Sequence, residues 1–225
     1  MDCIRSYRKN VTRSIPRVSM VMLVVGLVSG PATAWADDIV LRWNQIAAQT
    51  ATATNPFNQA RIGAIVQLAV FEAVNAVTKD YEPYLNPPTV APPGTSVEAA
   101  AIIAAHKVLT TYFPDPSVVA VLNAARDLDL GAIPNGPAKT NGIAVGTAAA
   151  NAMIALRAAD GSSPLTTIIP TSTLPGAYQL TTGCAAGLFY NWQNVTPFGI
   201  AKASDFLLDQ PPRCRATDMR KTTSR

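Results

Sequence analysis

The chain has 225 residues, with 18 basic and 14 acidic side chains and a formal net charge of +4. The basic excess belongs to the two ends, because residues 1–36 and residues 213–225 each carry five basic side chains and one acid. Residues 37–212 carry eight basic and twelve acidic side chains, and no basic stripe with interleaved aromatics, which excludes nucleic acid as a partner. The hydrophobic content of 48% suffices for the core of one ordinary domain.

Residues 1–36 follow the order basic, apolar, small. Five basic side chains precede the apolar run Val18–Val28, and Ala34-Trp35-Ala36 follows it. This order predicts a secretory signal peptide that is cleaved before Asp37, and hence a periplasmic or secreted protein. The apolar run is about half of the ~20 residues that a membrane anchor needs, so a cleaved leader is favoured. No later stretch is expected to be long and uncharged enough to span a membrane, and no membrane partner is expected after cleavage.

Between Asp38 and Gly161 the apolar spacing and the stop signals are typical of helices. Asn55-Pro56 and Asp115-Pro116 are predicted helix starts, and Thr95 with Glu98 is a predicted capping box. The predicted helices cover residues 38–54, 55–78, 95–112, 115–131 and 135–159. Little alternating pattern is present, so residues 37–161 are predicted to form an all-α helical bundle.

Two glycine features belong to the last predicted helix. Gly142 and Gly146 form a small-residue stripe that should let a neighbouring helix approach closely. Gly161 is expected to adopt the left-handed conformation that ends a helix. Residues 162–212 are then rich in Pro and Gly and predict a loop-rich segment, which is either functional or wraps over the bundle.

The sequence assigns no catalytic, cofactor-binding or metal-binding residue. His106 is the only histidine, and its helical spacing from Ile102 and Leu109 predicts a partly buried structural side chain. One histidine cannot supply a His-based metal motif. Ser162-Ser163 lacks the surrounding pattern of a nucleophile elbow and is interpreted as the exit from the helix. Asp127 and Asp129 are interpreted as part of a solvated face.

Cysteine usage leaves two alternatives open. Cys184 and Cys214 are the only cysteines after residue 36, and in an oxidising compartment they could pair. A single pair is not a disulfide framework, so a free thiol at each position is an equal alternative.

Several segments together resemble a known family. They fall between Leu41 and Phe206 and read, in chain order, LRWNQIAAQT, ARIGAIVQLAVFEAVNAV, YEPYL, LRAADGS, LPGAYQLT and WQNVTPFGIAKASDF. Their order and spacing resemble the opening part of bacterial secreted vanadium-dependent haloperoxidase-like proteins, which belong to the type 2 phosphatidic acid phosphatase superfamily.

The resemblance implies packed α-helical bundles and, in intact relatives, a site for vanadate or phosphate. The family builds that site from a Lys-containing motif that ends in Arg-Pro, a Pro-Ser-Gly-His motif and a third motif with Ser-Arg, His and Asp. None of the three occurs in this chain, so no catalytic residue is carried over, and vanadate is implied for intact relatives alone. The motifs follow the Val-Thr-Pro-Phe region in the family, which predicts a truncated member, inactive alone.

The basic residues 213–225 have no apolar periodicity, and either a frameshift or early stop, or a natural solvated tail, explains them. In the truncated form we expect self-association through uncovered apolar helix faces, including that of residues 55–78. The alternative function is a non-catalytic exported α-helical module that binds a partner or has a structural role.

Overall fold

A computed structural model describes residues 38–208 except residues 173, 175 and 176. The predicted signal peptide, its cleavage site, Cys214 and the basic residues 213–225 lie outside the described residues. Within them the chain forms five α-helices, which are α1 (Ile39–Ala51), α2 (Pro56–Thr78), α3 (Val97–Tyr112), α4 (Pro116–Gly131) and α5 (Pro137–Arg157). Two short 3-10 helices follow at Tyr190–Asn194 and Ala203–Phe206.

The described residues contain no β-strand, and their only β-type pairing is one isolated bridge between Ile168 and Gly187. The all-α prediction is therefore confirmed. One apolar core runs through all five helices, with Trp43 from α1, Ile65 from α2, Leu109 from α3, Leu122 from α4 and Met153 from α5.

Two helices begin where the sequence predicts them. The Asn55 side chain accepts a hydrogen bond from the Asn58 backbone N–H at 3.0 Å, and Pro56 occupies the first helical position. Asp115 caps α4 in the same way through Ser117. Each cap supplies an acceptor to a backbone N–H group that has no partner inside its helix.

Several predicted boundaries are wrong by a few residues, and α1 ends at Ala51, three residues before its predicted end. The cap of α3 is Ser96, whose hydroxyl accepts from the Ala99 N–H at 3.1 Å, while the Thr95 hydroxyl donates to the Pro92 carbonyl. Helix α5 ends at Arg157, four residues before Gly161. Gly161 does have a left-handed φ of 87°, but it turns the chain beside Asn194, where a Cβ would lie 2.8 Å from the Asn194 carbonyl oxygen.

Helix α3 packs against the other four helices, and α2 packs against α1, α3 and α5. By length and composition alone α2 could cross a bilayer, so the expectation that no such stretch follows the leader is wrong. More than half of its apolar stretch is buried inside the bundle. The apolar face that we expected to be uncovered is in fact buried, at Ile62, Ile65, Val66, Ala69, Val70 and Ala73.

Helices α3 and α5 form the most extensive helix contact, and two glycines let their backbones approach closely. A Cβ on Gly142 would lie 2.6 Å from the Ser96 carbonyl oxygen and 2.7 Å from the Ala99 Cβ. A Cβ on Gly146 would lie 3.0 Å from the Ala104 backbone nitrogen. The predicted close approach of another helix to the glycine stripe is confirmed.

The loop-rich segment has little core of its own. Among its described residues, 162–208, only Asn191 is buried. The Asn191 side chain donates to the Gly161 carbonyl at 3.0 Å and accepts from the Thr166 N–H at 3.0 Å. The segment lies against the start of α2, where the Phe57 ring contacts Phe189 and Trp192.

Candidate functional site

Two buried arginines share one buried aspartate where α2, the end of α5 and the loop-rich segment meet. The Nε atoms of Arg61 and Arg157 donate to Asp160 Oδ2 at 2.7 Å and 3.1 Å. Arg61 Nη2 also donates to the Arg157 carbonyl at 2.9 Å. The exposed fractions are 8%, 2% and 4% for Arg61, Arg157 and Asp160. We call these three residues the arginine cluster. Two guanidinium groups and one carboxylate leave it with one uncompensated positive charge.

Each guanidinium nitrogen of Arg157 has an acceptor, and the side chain ties the loop-rich segment to α5. Its Nη2 donates to the Thr196 carbonyl at 2.6 Å and its Nη1 to the Pro197 carbonyl at 3.3 Å. The guanidinium also lies 3.8 Å from the centre of the Phe198 ring, which is cation–π distance.

Asp160 is the anion of the arginine cluster. Burial alone would raise the pKa of its carboxyl group, but hydrogen bonds from Arg61 and Ser162 outweigh burial and hold that pKa below its ordinary value. The Ser162 N–H donates to Asp160 Oδ1 at 3.1 Å. Ser162 thus contributes its backbone to the turn after α5, in keeping with its interpretation as the exit from the helix.

Arg61 retains donor capacity. Its guanidinium lies 5.3 Å from the centre of the Tyr112 ring, and its Nη1 has no hydrogen-bond acceptor among residues 38–208 as described.

The Arg61 side chain lines two cavities. The smaller cavity is about 300 Å³ and includes Thr111, Ser162 and Ser163 in its lining.

The larger cavity is an apolar groove of about 610 Å³, between the start of α2 and the loop-rich segment. Besides Arg61, its walls include Phe57, Ala60, Trp192 and Phe198. The Phe57 and Trp192 rings pack with their centres 5.1 Å apart. The groove thus combines an apolar, aromatic wall with one buried cation, and its volume is within the range of small-molecule sites.

His106 lies between α3 and α4, and Asn123 is its hydrogen-bond partner. Its Nε2 is 2.8 Å from Asn123 Oδ1, and its ring stands edge-on to Trp43 at 6.2 Å. The exposed fraction of His106 is 8%, so it is more buried than the sequence predicts. Burial is the main cause that lowers the pKa of His106, and Arg126 contributes to the same shift.

The interpretation of Asp127 and Asp129 as one solvated face is wrong for Asp129. Its carboxylate accepts from Trp43 Nε1 at 2.9 Å and from Arg42 Nε at 3.0 Å, which fastens the end of α4 to α1. Helical spacing places residues two apart on different faces, so one of the pair turns inward. Asp127 is exposed and pairs with Arg126 at 2.8 Å.

The YEPYL segment is attached to α2 by two buried polar side chains. Glu72 accepts hydrogen bonds from the backbone N–H groups of Tyr84 and of Leu85, the latter at 3.0 Å. Asn75 exchanges two hydrogen bonds with the Tyr81 backbone, at 2.8 Å and 2.9 Å. Together they fix the chain that leaves the C-terminal end of α2.

Sequence reasoning missed the arginine cluster and the groove. A signal was available, since Arg61 and Arg157 lie on helices whose apolar spacing predicts buried faces, and a buried charge requires a partner. The sequence could not identify the partner, because Asp160 is 99 residues from Arg61 along the chain.

The residues that the structure describes contain no group of three or more His, Cys, Asp and Glu side chains placed to hold a metal ion. They also do not bring together the cations and histidine of the vanadate site that the resemblance implies for intact relatives. Each guanidinium nitrogen of Arg157 already has a protein acceptor, and His106 makes its contacts with Asn123, Arg126 and Trp43 instead of with the arginine cluster. Cys184 is exposed.

Comparison of the chain with family models, with curated proteins and with solved structures finds no match.

Proposed function

We propose that residues 38–208 are the N-terminal helical scaffold of a vanadium-dependent haloperoxidase-like or acid phosphatase-like protein, and that this chain is inactive alone. The observation that carries the proposal is the convergence of the segments on which the resemblance rests. Arg61 belongs to the ARIGAI segment, Arg157 and Asp160 to LRAADGS, and Thr196 and Pro197 to WQNVTPF, and these residues bond to one another.

A second contact between resembling segments supports the same proposal. Glu72 and Asn75 lie in the α2 segment, and both bond to the backbone of YEPYL. Segments that hold one another in place are expected to occur together in proteins that share a fold. In this proposal the polar residues of these segments stabilise the scaffold, and the chemistry belongs to residues outside them.

Activity assays on the purified protein test the proposal. Bromination of monochlorodimedone with peroxide and vanadate, and hydrolysis of p-nitrophenyl phosphate, should both stay at the buffer rate. Vanadium NMR should show no broadening of the vanadate signal when the protein is added. Because His106 is the only histidine in the chain, the His106→Ala variant is the control. Vanadate-dependent turnover that this variant loses would contradict the proposal.

The groove favours a second candidate function, a non-catalytic exported helical module that binds a partner. Ligand sites are concave and mostly apolar, with few polar groups that fix orientation. The groove beside Arg61 has this composition. A binding role requires no catalytic residue in this chain, and binding measurements distinguish it from a purely structural role.

A further inference from the structure

We propose that the apolar groove binds a small amphipathic anion, with its carboxylate at Arg61 and its aliphatic or aromatic body against Phe57, Trp192 and Phe198. The proposal is independent of any catalytic ancestry. It rests on the volume and lining of the groove, on the charge of the arginine cluster and on the hydrogen bonding of Arg61.

The charge of the arginine cluster indicates an anion. Two guanidinium groups face one carboxylate, and all three side chains are more than nine-tenths buried. An unbalanced buried charge is unfavourable unless an opposite charge approaches it. A ligand with a single negative charge would neutralise the cluster, whereas a neutral ligand would leave the imbalance unchanged.

Hydrogen bonding identifies the residue that contacts the ligand. Every nitrogen of the Arg157 guanidinium donates to Asp160, Thr196 or Pro197. Arg61 uses Nε and Nη2. Its Nη1 has no acceptor among the described residues, and because no buried polar atom there lacks a partner, Nη1 is open to solvent. A charge-assisted hydrogen bond from Nη1 to a carboxylate oxygen would give this nitrogen the acceptor that it lacks.

The rest of the groove determines the body of the ligand. Its remaining walls are almost entirely apolar, with Phe57, Trp192 and Phe198 as the aromatic residues. A volume of about 610 Å³ lies in the range of small-molecule sites and exceeds what a carboxylate alone would fill. Medium-chain fatty acids and arylalkanoic acids have the required combination of one anionic head and an apolar body.

Calorimetric titration with octanoate and with octanol tests the head group, because the two probes share one apolar chain and differ in charge. We expect octanoate to bind at least about tenfold more tightly than octanol, since only the carboxylate accepts a charge-assisted hydrogen bond. Equal affinities, or no binding of octanoate, would overturn the proposal.

Two variants test the location. Ala60 is exposed on α2 and lines the groove, so Ala60→Leu should fill it and weaken octanoate binding at least about tenfold. Ala120→Leu is the matched control, because Ala120 is exposed on α4 and does not line the groove. Arg61→Gln, checked for helix content by circular dichroism, should remove the preference for octanoate over octanol.

The same variants distinguish a small ligand from a protein occupant. If the groove instead holds a second copy of the chain, sedimentation should show a dimer that Ala60→Leu dissociates, and octanoate should not bind to either form. That result, or octanoate binding that Ala60→Leu leaves unchanged, would overturn the proposal.

Discussion

The environment of His106 links the stability of the protein to pH. The imidazole is buried between α3 and α4 and faces Asn123, Arg126 and Asp127 on α4, with Lys107 beside it on its own helix. Burial, followed by the charges of Arg126 and Lys107, lowers the pKa of His106 in the folded protein, while the Asn123 hydrogen bond and Asp127 oppose them. The folded protein therefore favours the neutral form of His106.

The sign of the pH effect follows from this shift. The ordinary pKa of histidine is 6.5, so below that value the unfolded chain binds a proton that the folded protein binds less readily. We predict that the contribution of His106 to the free energy of unfolding is constant above about pH 7. The free energy of unfolding falls as the pH decreases from about 6.5 to 5, where Asp and Glu side chains remain largely ionised.

Urea unfolding at several pH values measures this effect, and His106→Gln is the control. Glutamine can bond to Asn123 but does not titrate, so its unfolding free energy should change less over the same pH range. Parallel pH profiles for the two proteins would contradict the assignment of the effect to His106.

At the residue scale, the sequence predicts which side chains are buried better than it predicts which residues they contact. The burial of His106 follows from its helical spacing, but Asn123 as its partner does not, since the partner depends on the angle at which α4 crosses α3. Asp129 shows the same limit, because its partners Arg42 and Trp43 lie 87 and 86 positions away along the chain. The arginine cluster was missed for the same reason.

At the element scale, the contact between α3 and α5 depends on glycine. We predict that Gly146→Ala lowers the free energy of unfolding by about 1–3 kcal/mol. A Cβ there would lie 3.0 Å from the Ala104 nitrogen and from the Ile103 Cβ, and closer still to the Ala100 carbonyl oxygen. These atoms belong to the neighbouring helix, so the helices must separate. This cost exceeds the gain of roughly 0.5–1 kcal/mol that alanine brings to a helix interior.

Gly63→Ala is the matched control, because Gly63 lies inside α2 and nothing stands within 4 Å of its Cβ position. This variant should be neutral or more stable, by up to about 1 kcal/mol. Urea unfolding followed by far-ultraviolet circular dichroism measures both. Equal effects of the two substitutions would show that helix propensity, and not packing, determines the result.

Helix existence and most helix starts could be predicted because their signals are local. Asn55-Pro56 and Asp115-Pro116 place a capping side chain and a proline at adjacent positions, and both start helices. The start of α3 was wrong by one residue, since Thr95 and Ser96 are both suitable caps and the contact of Thr95 with Pro92 decides between them. The predicted end of α5 is wrong because Gly161 lies beyond the helix, against the Asn194 backbone, and does not cap it.

At the scale of the whole molecule, apolar surface is unevenly distributed. The described residues expose seventeen large apolar side chains, and ten of them lie in the loop-rich segment, from Leu165 to Leu208. The helices bury their apolar faces in one core, and no buried side-chain polar atom among the described residues lacks a hydrogen-bond partner. If the protein self-associates, the structure places the apolar surface for it in the loop-rich segment instead of on α2.

The uneven burial predicts that the loop-rich segment opens before the helical bundle. Within residues 162–208 only Asn191 is buried among those described, so opening this region exposes little additional surface, and regions with few buried contacts open at low free energy. We therefore predict first cleavage by chymotrypsin at exposed sites such as Leu165, Tyr178 and Phe206, with a resistant fragment that ends near Arg157. Exposed apolar side chains in the segment should also bind a hydrophobic dye.

Mass spectrometry of a brief digest identifies the cut sites, and thermal unfolding followed by near- and far-ultraviolet circular dichroism should show loss of aromatic signal before loss of helix. First cleavage inside α2 or α3, or a single coincident transition from a monomer, would show that bundle and segment unfold as one unit.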